Sequence, residues 1–193
     1  MNSNGFKMIG VVGVFAVVLL LGVVWANYTQ DLEIDGTGTV KSSTWNVGFT
    51  DLSEPTLKGT AAVITEPSLT ATKIGDYAVQ LMTPGDSVSY TIEIKNSGSY
   101  AAKVSSVTVP TPTCTGSGDT AETDANNVCK YLTYTLTYED GNEIKIGDTL
   151  AAENGTAKML LKLTYSADVL ASELPKNDVT ISNLTIPMIY IQG

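Results

Sequence analysis

The 193-residue chain has no histidine and no arginine, and only two cysteines. Without histidine the commonest general base, zinc ligand and triad member are missing together, which excludes Ser-His-Asp, Cys-His and His-Glu-x-x-His chemistry. Two thiols without an imidazole do not complete a zinc tetrahedron. Pro84-Gly85-Asp86 lacks a second glycine and a Gly-Lys-Ser/Thr ending, so it is no phosphate loop. Positive charge is scarce too: 11 lysines face 20 acidic residues, net −9. A surface of that sign repels phosphate backbones and argues against nucleic-acid partners. A serine-lysine arrangement or a carboxylate pair remains conceivable, but no spacing singles one out. The expectation is a non-enzymatic protein without a cofactor or metal site.

What the chain does have begins with residues 8–26, MIGVVGVFAVVLLLGVVWA, 19 residues without a charge, between Lys7 and the acidic trio Asp31, Glu33 and Asp35. As a helix this run measures about 28 Å, against roughly 30 Å for a hydrocarbon core. Two readings stay open: a secretory signal cut before Asn27, with Val24 and Ala26 at the cut, or a retained anchor with Lys7 on the cytoplasmic side. A pilin-type cut after Gly5 fits Phe6 but lacks the glutamate of such signals. Either main reading exports the remainder. The expected organisation is residues 1–26 as signal peptide or membrane anchor helix, 27–43 as extended linker or donor strand, and 44–193 as one domain, long enough to bury a core. In an exported chain Cys114 and Cys129 are expected to pair. The interval between them, TGSGDTAETDANNV, is polar and reads as a surface loop, whose closure contributes about 3 kcal/mol on the chain-entropy argument.

The domain reads as strands. In residues 81–109 the Pro84-Gly85-Asp86 turn precedes Val88, Tyr90, Ile92 and Ile94, which alternate with polar residues in period two. Asn96-Ser97-Gly98-Ser99 then reverses the chain into a second run through Val104, Val107 and Val109, as in an antiparallel sheet. In residues 44–50, TWNVGFT, Trp45, Val47 and Phe49 share a parity, predicting a core strand with Trp45 as its anchor. Residues 131–138 alternate, and Asp140-Gly141 predicts a hairpin with a return strand carrying Ile144 and Ile146. Residues 156–165 alternate again, residues 166–174 suggest a helical turn ended by Pro175, and a parity switch at Ser182-Asn183 suggests a bulge. Roughly ten short β segments with no helical period beyond the N-terminus predict an all-β fold: an antiparallel two-sheet β-sandwich, jelly-roll or immunoglobulin-like, preceded by one hydrophobic helix.

Three further patterns have ordinary explanations. Asp119, Glu122 and Asp124, and Glu139, Asp140 and Glu143, offer oxygens to calcium but read as solvated turn residues. Asn27, Asn154 and Asn183 each open a glycosylation triplet, a short signal. Tyr90, Tyr131, Tyr134, Tyr138, Tyr165 and Tyr190 fall in alternating strands, where packing accounts for them.

The apolar export segment, Trp45-Asn46-Val47-Gly48-Phe49, PGDSVSYTIEIKNSGSYAAKV and the terminal IPMIYIQ together resemble the TasA and camelysin-like secreted proteins. The segment from PGD to NSG is also similar to immunoglobulin-like modules of bacterial and archaeal surface proteins. The first resemblance implies a jelly roll that assembles into extracellular matrix fibres. Camelysin-like proteins have been classed as metallopeptidases, and the absence of histidine keeps that activity from carrying over. The expected function is an exported cell-surface or extracellular structural protein, a matrix-fibre or pilus-like filament subunit joined by strand addition. Its partners are other copies or other surface proteins, and the membrane through the N-terminal segment. Leu32 and Ile34 alternate with acidic residues beside Gly36-Thr37-Gly38, and are the residues expected to fill pockets of a neighbour; a first strand paired within its own domain stays open. The alternative is a membrane-anchored module that recognises glycan or protein through its loops, the one between Cys114 and Cys129 included.

Overall fold

The computed structural model describes Thr39, residues 42–75 and residues 77–193. The apolar run 8–26, Leu32, Ile34 and the triplet at Asn27 lie outside the described residues. The elements below belong to Ser42–Gly193, which is one unit.

The period-two run becomes the central strand, β7 (Ser87–Asn96): Val88, Tyr90, Ile92 and Ile94 are buried while Ser89, Thr91, Glu93 and Lys95 are half-exposed. β1 (Val47–Leu52) and β2 (Thr56–Lys58) lie end to end along one side of it. On its other side is β12 (Gly155–Tyr165), followed by the edge strand β10 (Leu132–Tyr138), all antiparallel. A second sheet has β8 (Ala102–Val107) between β11 (Thr149–Leu150) and β14 (Met188–Gln192). Ala102 and Val104 of β8, with Ile144 and Leu150, share one buried cluster with Ile92, Ile94, Met159, Leu161, Leu163 and Tyr134. Each such aliphatic side chain contributes about 1.5–3 kcal/mol by leaving water. β9 (Thr113–Gly116) pairs β13 (Val179–Ser182). Residues 62–80 form an arm in which β3 (Ala62–Thr65) pairs β6 (Ala78–Gln80) and β4 (Ser68–Leu69) pairs β5 (Ile74–Gly75). The chain is thus mostly β, in several antiparallel sheets, consistent with a β-sandwich. A short 3-10 turn, Ala171–Glu173, precedes Pro175 where a helical turn was expected.

The two strands of the 81–109 segment do not pair with each other; Asn96 sends them to different sheets. Its side chain is fully buried. Nδ2 donates to the carbonyls of Tyr100 (2.8 Å), Ala151 (3.0 Å) and Leu150 (3.3 Å), and Oδ1 accepts from Gly98 N–H (3.0 Å). Those bonds turn the expected hairpin into a corner. At the other end of β7, Asp86 is also fully buried. Its Oδ1 accepts from Thr60 N–H (2.8 Å) and Thr83 Oγ1 (3.0 Å), its Oδ2 from Thr60 Oγ1 (2.9 Å), Met82 N–H (2.8 Å) and Thr83 N–H (2.9 Å). Burial by itself raises the carboxyl's pKa, but the bonds from Thr83, Thr60 and Met82 outweigh it and hold the group well below the usual carboxylate range. Gly59, at φ +73°, lets that loop close in: a Cβ there would lie 2.2 Å from Asp86 Oδ1.

Four expectations are corrected. Trp45 is not a core anchor: β1 begins only at Val47, and Trp45 is 48% exposed. The preceding residues are bound to the corner, where Ser97 N–H and Ser99 N–H donate to the carbonyls of Asn46 and Thr44. The Cys114–Cys129 interval is not a loop throughout, since it holds α1 (Ala121–Lys130). The return strand after Asp140-Gly141 is reduced to one bridge, Thr137 to Glu143. Asp148, accepting from Lys145 N–H (2.7 Å) and Tyr138 Oη (2.9 Å), curls this segment toward β8. Ile144 is therefore buried but Ile146 is 74% exposed. Finally, Ser182-Asn183 is a break between strands of separate sheets, with Asn183 at φ +62°.

Candidate functional site

On the inner face of the first sheet, alternation places Phe49, Ile92, Tyr134, Leu136, Met159 and Leu161 side by side. Ile92, Tyr134, Met159 and Leu161 are buried and Phe49 and Leu136 half-buried. These six side chains floor a cleft of about 550 Å³, bordered on one side by Thr72, Lys73, Ile74, Gly75 and Tyr77 of the arm and on the other by Leu184–Met188 leading into β14. A narrower extension of about 180 Å³ shares Phe49, Thr72 and Met188 and runs on past Val47, Ile94 and Tyr190 to Trp45. Among the described residues, Lys73 is the one charged residue lining either space.

The β14 border is an open strand edge. Gly193 N–H donates to Ala101 and Thr108 N–H to the carbonyl of Pro187, while Val104, opposite Tyr190, spends its own N–H and C=O on Asp148 and Gly147. Antiparallel alternation then turns the N–H and C=O groups of Met188, Tyr190 and Gln192 away from β8, and β8 is β14's one strand partner among the described residues. Met-Ile-Tyr-Ile-Gln has neither charge nor proline, and Ile189 and Ile191 are 53% and 43% exposed on its outer face. Edge strands in soluble proteins are usually blunted by lysine, proline or a covering element. The edge of β1 is different: Phe49 N–H already donates to Ala71 O at 2.9 Å.

Two tyrosines close the cleft floor. Tyr134 Oη donates to the carbonyl of Leu184 (2.7 Å), so the 3.0 Å bond between the hydroxyls is donated by Tyr77. Burial pushes the Tyr134 phenol far above its ordinary pKa. Burial raises Tyr77 as well. Both rings stay neutral at physiological pH. An apolar floor beside an open backbone edge has the form of a surface that binds an extended chain.

The structure places the other sequence-derived candidates as follows. Cys114 and Cys129 form a disulfide with Cα atoms 5.8 Å apart. It ties α1 to β9, and Asp124 turns inward to accept from Thr120 Oγ1 (2.6 Å) and Asn177 N–H (3.1 Å). The Thr120 bond, with help from Asn177 and against burial, lowers its pKa. Among the described residues no three acidic or cysteine side chains converge as a metal group would require. Asn154 is exposed, whereas Asn183 donates its Nδ2 to Thr111 O at 2.9 Å. Tyr90, Tyr134 and Tyr165 are buried, and Tyr131 Oη donates to Glu173. The arm and the cleft escaped the sequence reading: residues 60–80 show short strands, but nothing local says that they wall an opening.

Among the described residues no helix is long and apolar enough to cross a membrane. The chain matches no family model, no curated protein and no solved structure.

Proposed function

We propose that this protein is an exported structural subunit, a jelly-roll or immunoglobulin-like sandwich of the TasA kind that polymerises at the cell surface by accepting a strand from a neighbouring copy. The observation that carries the reading is the cleft with its apolar floor, bordered by the uncharged open edge of β14. An inserted strand gains backbone bonds from Met188, Tyr190 and Gln192 and buries alternate side chains on the floor. Residues 31–35, Asp-Leu-Glu-Ile-Asp, match that demand in sequence: in an inserted strand Leu32 and Ile34 would share one face and the three carboxylates the other. The disulfide fits an oxidising compartment, and residues 8–26 supply export, with the membrane as a further contact if they are retained. No enzymatic step is assigned.

The test is negative-stain microscopy of the purified protein beside a Leu32→Asp, Ile34→Asp variant. Filaments from the parent and none from the variant are expected. Filaments of equal length and number from both would show that these two residues do not join the subunits.

A further inference from the structure

The triplet Asn154-Gly155-Thr156 opens β12 beside the Asn96 corner, and its backbone is held there. Asn154 N–H donates to Asn96 O (2.8 Å), and the preceding Glu153 N–H donates to Gly98 O (2.9 Å). Glu153 and Asn154 stand at φ +55° and +89°, a left-handed pair that leads the chain into the strand. The Asn154 side chain is exposed, and its amide has no hydrogen-bond partner among the described residues. Between this amide and the threonine only glycine fits, since a Cβ at Gly155 would lie 2.3 Å from Ala151 O. Thr156 faces away from the core, because the next residue, Ala157, lies opposite buried Ile94 and packs on its cluster. Its hydroxyl is exposed and likewise has no partner among the described residues. The turn thus accounts for Asn154, a residue type that tolerates positive φ, and for Gly155, but asks nothing of Thr156 beyond a place in a strand. The other triplet among the described residues, Asn183-Leu184-Thr185, is tied into the molecule. Asn183 Nδ2 donates to Thr111 O (2.9 Å), Leu184 O accepts from Tyr134 Oη (2.7 Å), and Thr185 lines the cleft.

We infer that Asn154 is an N-glycosylation site, loaded as the exported chain emerges outside the membrane. The donor is an oligosaccharide joined through phosphate to a membrane lipid. Asn154 Nδ2 forms a bond to the anomeric carbon of the first sugar, the bond from that carbon to the phosphate oxygen breaks, the lipid keeps the phosphate, and Nδ2 gives up one proton. The Thr156 hydroxyl completes the acceptor triplet. Transfer before β12 has paired needs no opening of the ladder, and the finished fold holds a bulky polar group at Asn154 without displacing a side-chain bond. At Asn183 the same group would crowd Thr111 and the wall of the cleft. None of the residues from Glu153 to Thr156 lines the cleft or its extension, so the sugar adds polar bulk at the corner end of the subunit, outside that opening. The inference shares the export premise of the reading above and owes nothing to strand addition.

The test uses full-length protein isolated from its own cells, envelope and cytosol taken separately, cut after lysine and mapped by mass spectrometry with electron-transfer fragmentation. Residues 146–158 and 177–193 come out as separate peptides, each holding one triplet. The expected result is sugar mass on Asn154 in most envelope copies and none on Asn183. Thr156→Ala is expected to lose the sugar and Thr156→Ser to keep it, and an exposed side chain without partners lets both variants fold as the parent does. A bare Asn154 in the envelope protein overturns the inference, whether or not Asn183 carries sugar, and so does sugar that persists in Thr156→Ala. None of these readouts involves filaments, so each such failure leaves strand addition standing. Recovery of the protein from the cytosol alone, with Asn154 bare, overturns export and both readings with it.

Discussion

Asp86→Asn tests the claim that one buried carboxylate fastens the loop after β2 to the start of β7. The native carboxylate accepts five hydrogen bonds, three from backbone N–H groups of Thr60, Met82 and Thr83. Asparagine keeps the shape but replaces the Oδ2 or Oδ1 acceptor with an NH₂ that faces donors. At least two N–H or O–H groups then lose their partner in a site with no access to water. At about 1–3 kcal/mol for each buried group left unpaired, and allowing for relaxation, the cost is about 3–4 kcal/mol. With a urea slope of about 2 kcal/mol per molar, the unfolding midpoint falls by roughly 1.5–2 M. The sign of the pH dependence follows from the depressed folded pKa. The carboxylate's contribution is complete above its unfolded pKa near 3.9 and is lost as pH falls below it toward the folded value. The gap between parent and Asp86→Asn is therefore wide at pH 7 and narrows in strong acid. Urea titrations followed by circular dichroism at both extremes decide the matter. A midpoint unchanged at pH 7, or a gap that widens in acid, would refute the reasoning.

Two further outcomes follow from the same contacts. Replacing both Cys114 and Cys129 with serine is expected to cost about 2–4 kcal/mol, since the bridge closes a 15-residue separation; in the native protein, peptide mapping without reductant should recover the two cysteines as one linked pair, and two freely alkylated thiols would contradict the fold. Trp45→Ala is expected to change folding stability by less than about 1 kcal/mol, as for a residue nearly half exposed, and to weaken capture of a peptide of residues 27–40, because Trp45 lines the narrow end of the cleft; a drop of several kcal/mol in stability would return it to the core.

How much of this was legible in the sequence depends on whether the cause is local. The faces of β7 and β12 were read correctly because alternation is written into consecutive residues: Val88 to Ile94 and Met159 to Tyr165 point inward as their parity requires. The disulfide was expected from the cysteine count together with the expected export. What failed was set by partners far away in the chain. Asn96 looks like a turn residue, and only carbonyls more than 50 positions on, at Leu150 and Ala151, make it a corner between sheets. Trp45 has the right parity for the core, but parity does not say where the opposite layer ends. The helix α1 did leave a trace: Ala121, Ala125, Val128 and Cys129 stand at helical spacing, hidden by the polar residues between them. The cleft left none, since an opening between distant segments is a property of neither one alone.

The same cleft bears on why β14 is built without protection. Lysine or proline in Met188–Gln192 would blunt the edge, and either would also spoil it as a site for backbone pairing. The chain instead carries net charge −9, a long-range repulsion that slows indiscriminate encounter between copies without altering any group in the cleft. Repulsion of this kind is screened beyond about 10 Å at 0.1 M salt, while strand insertion is a contact interaction that salt leaves largely intact. If copies join as proposed, the edge and the charge are complementary devices: one would make joining strong once the slot is entered, and the other would keep entry from being unselective.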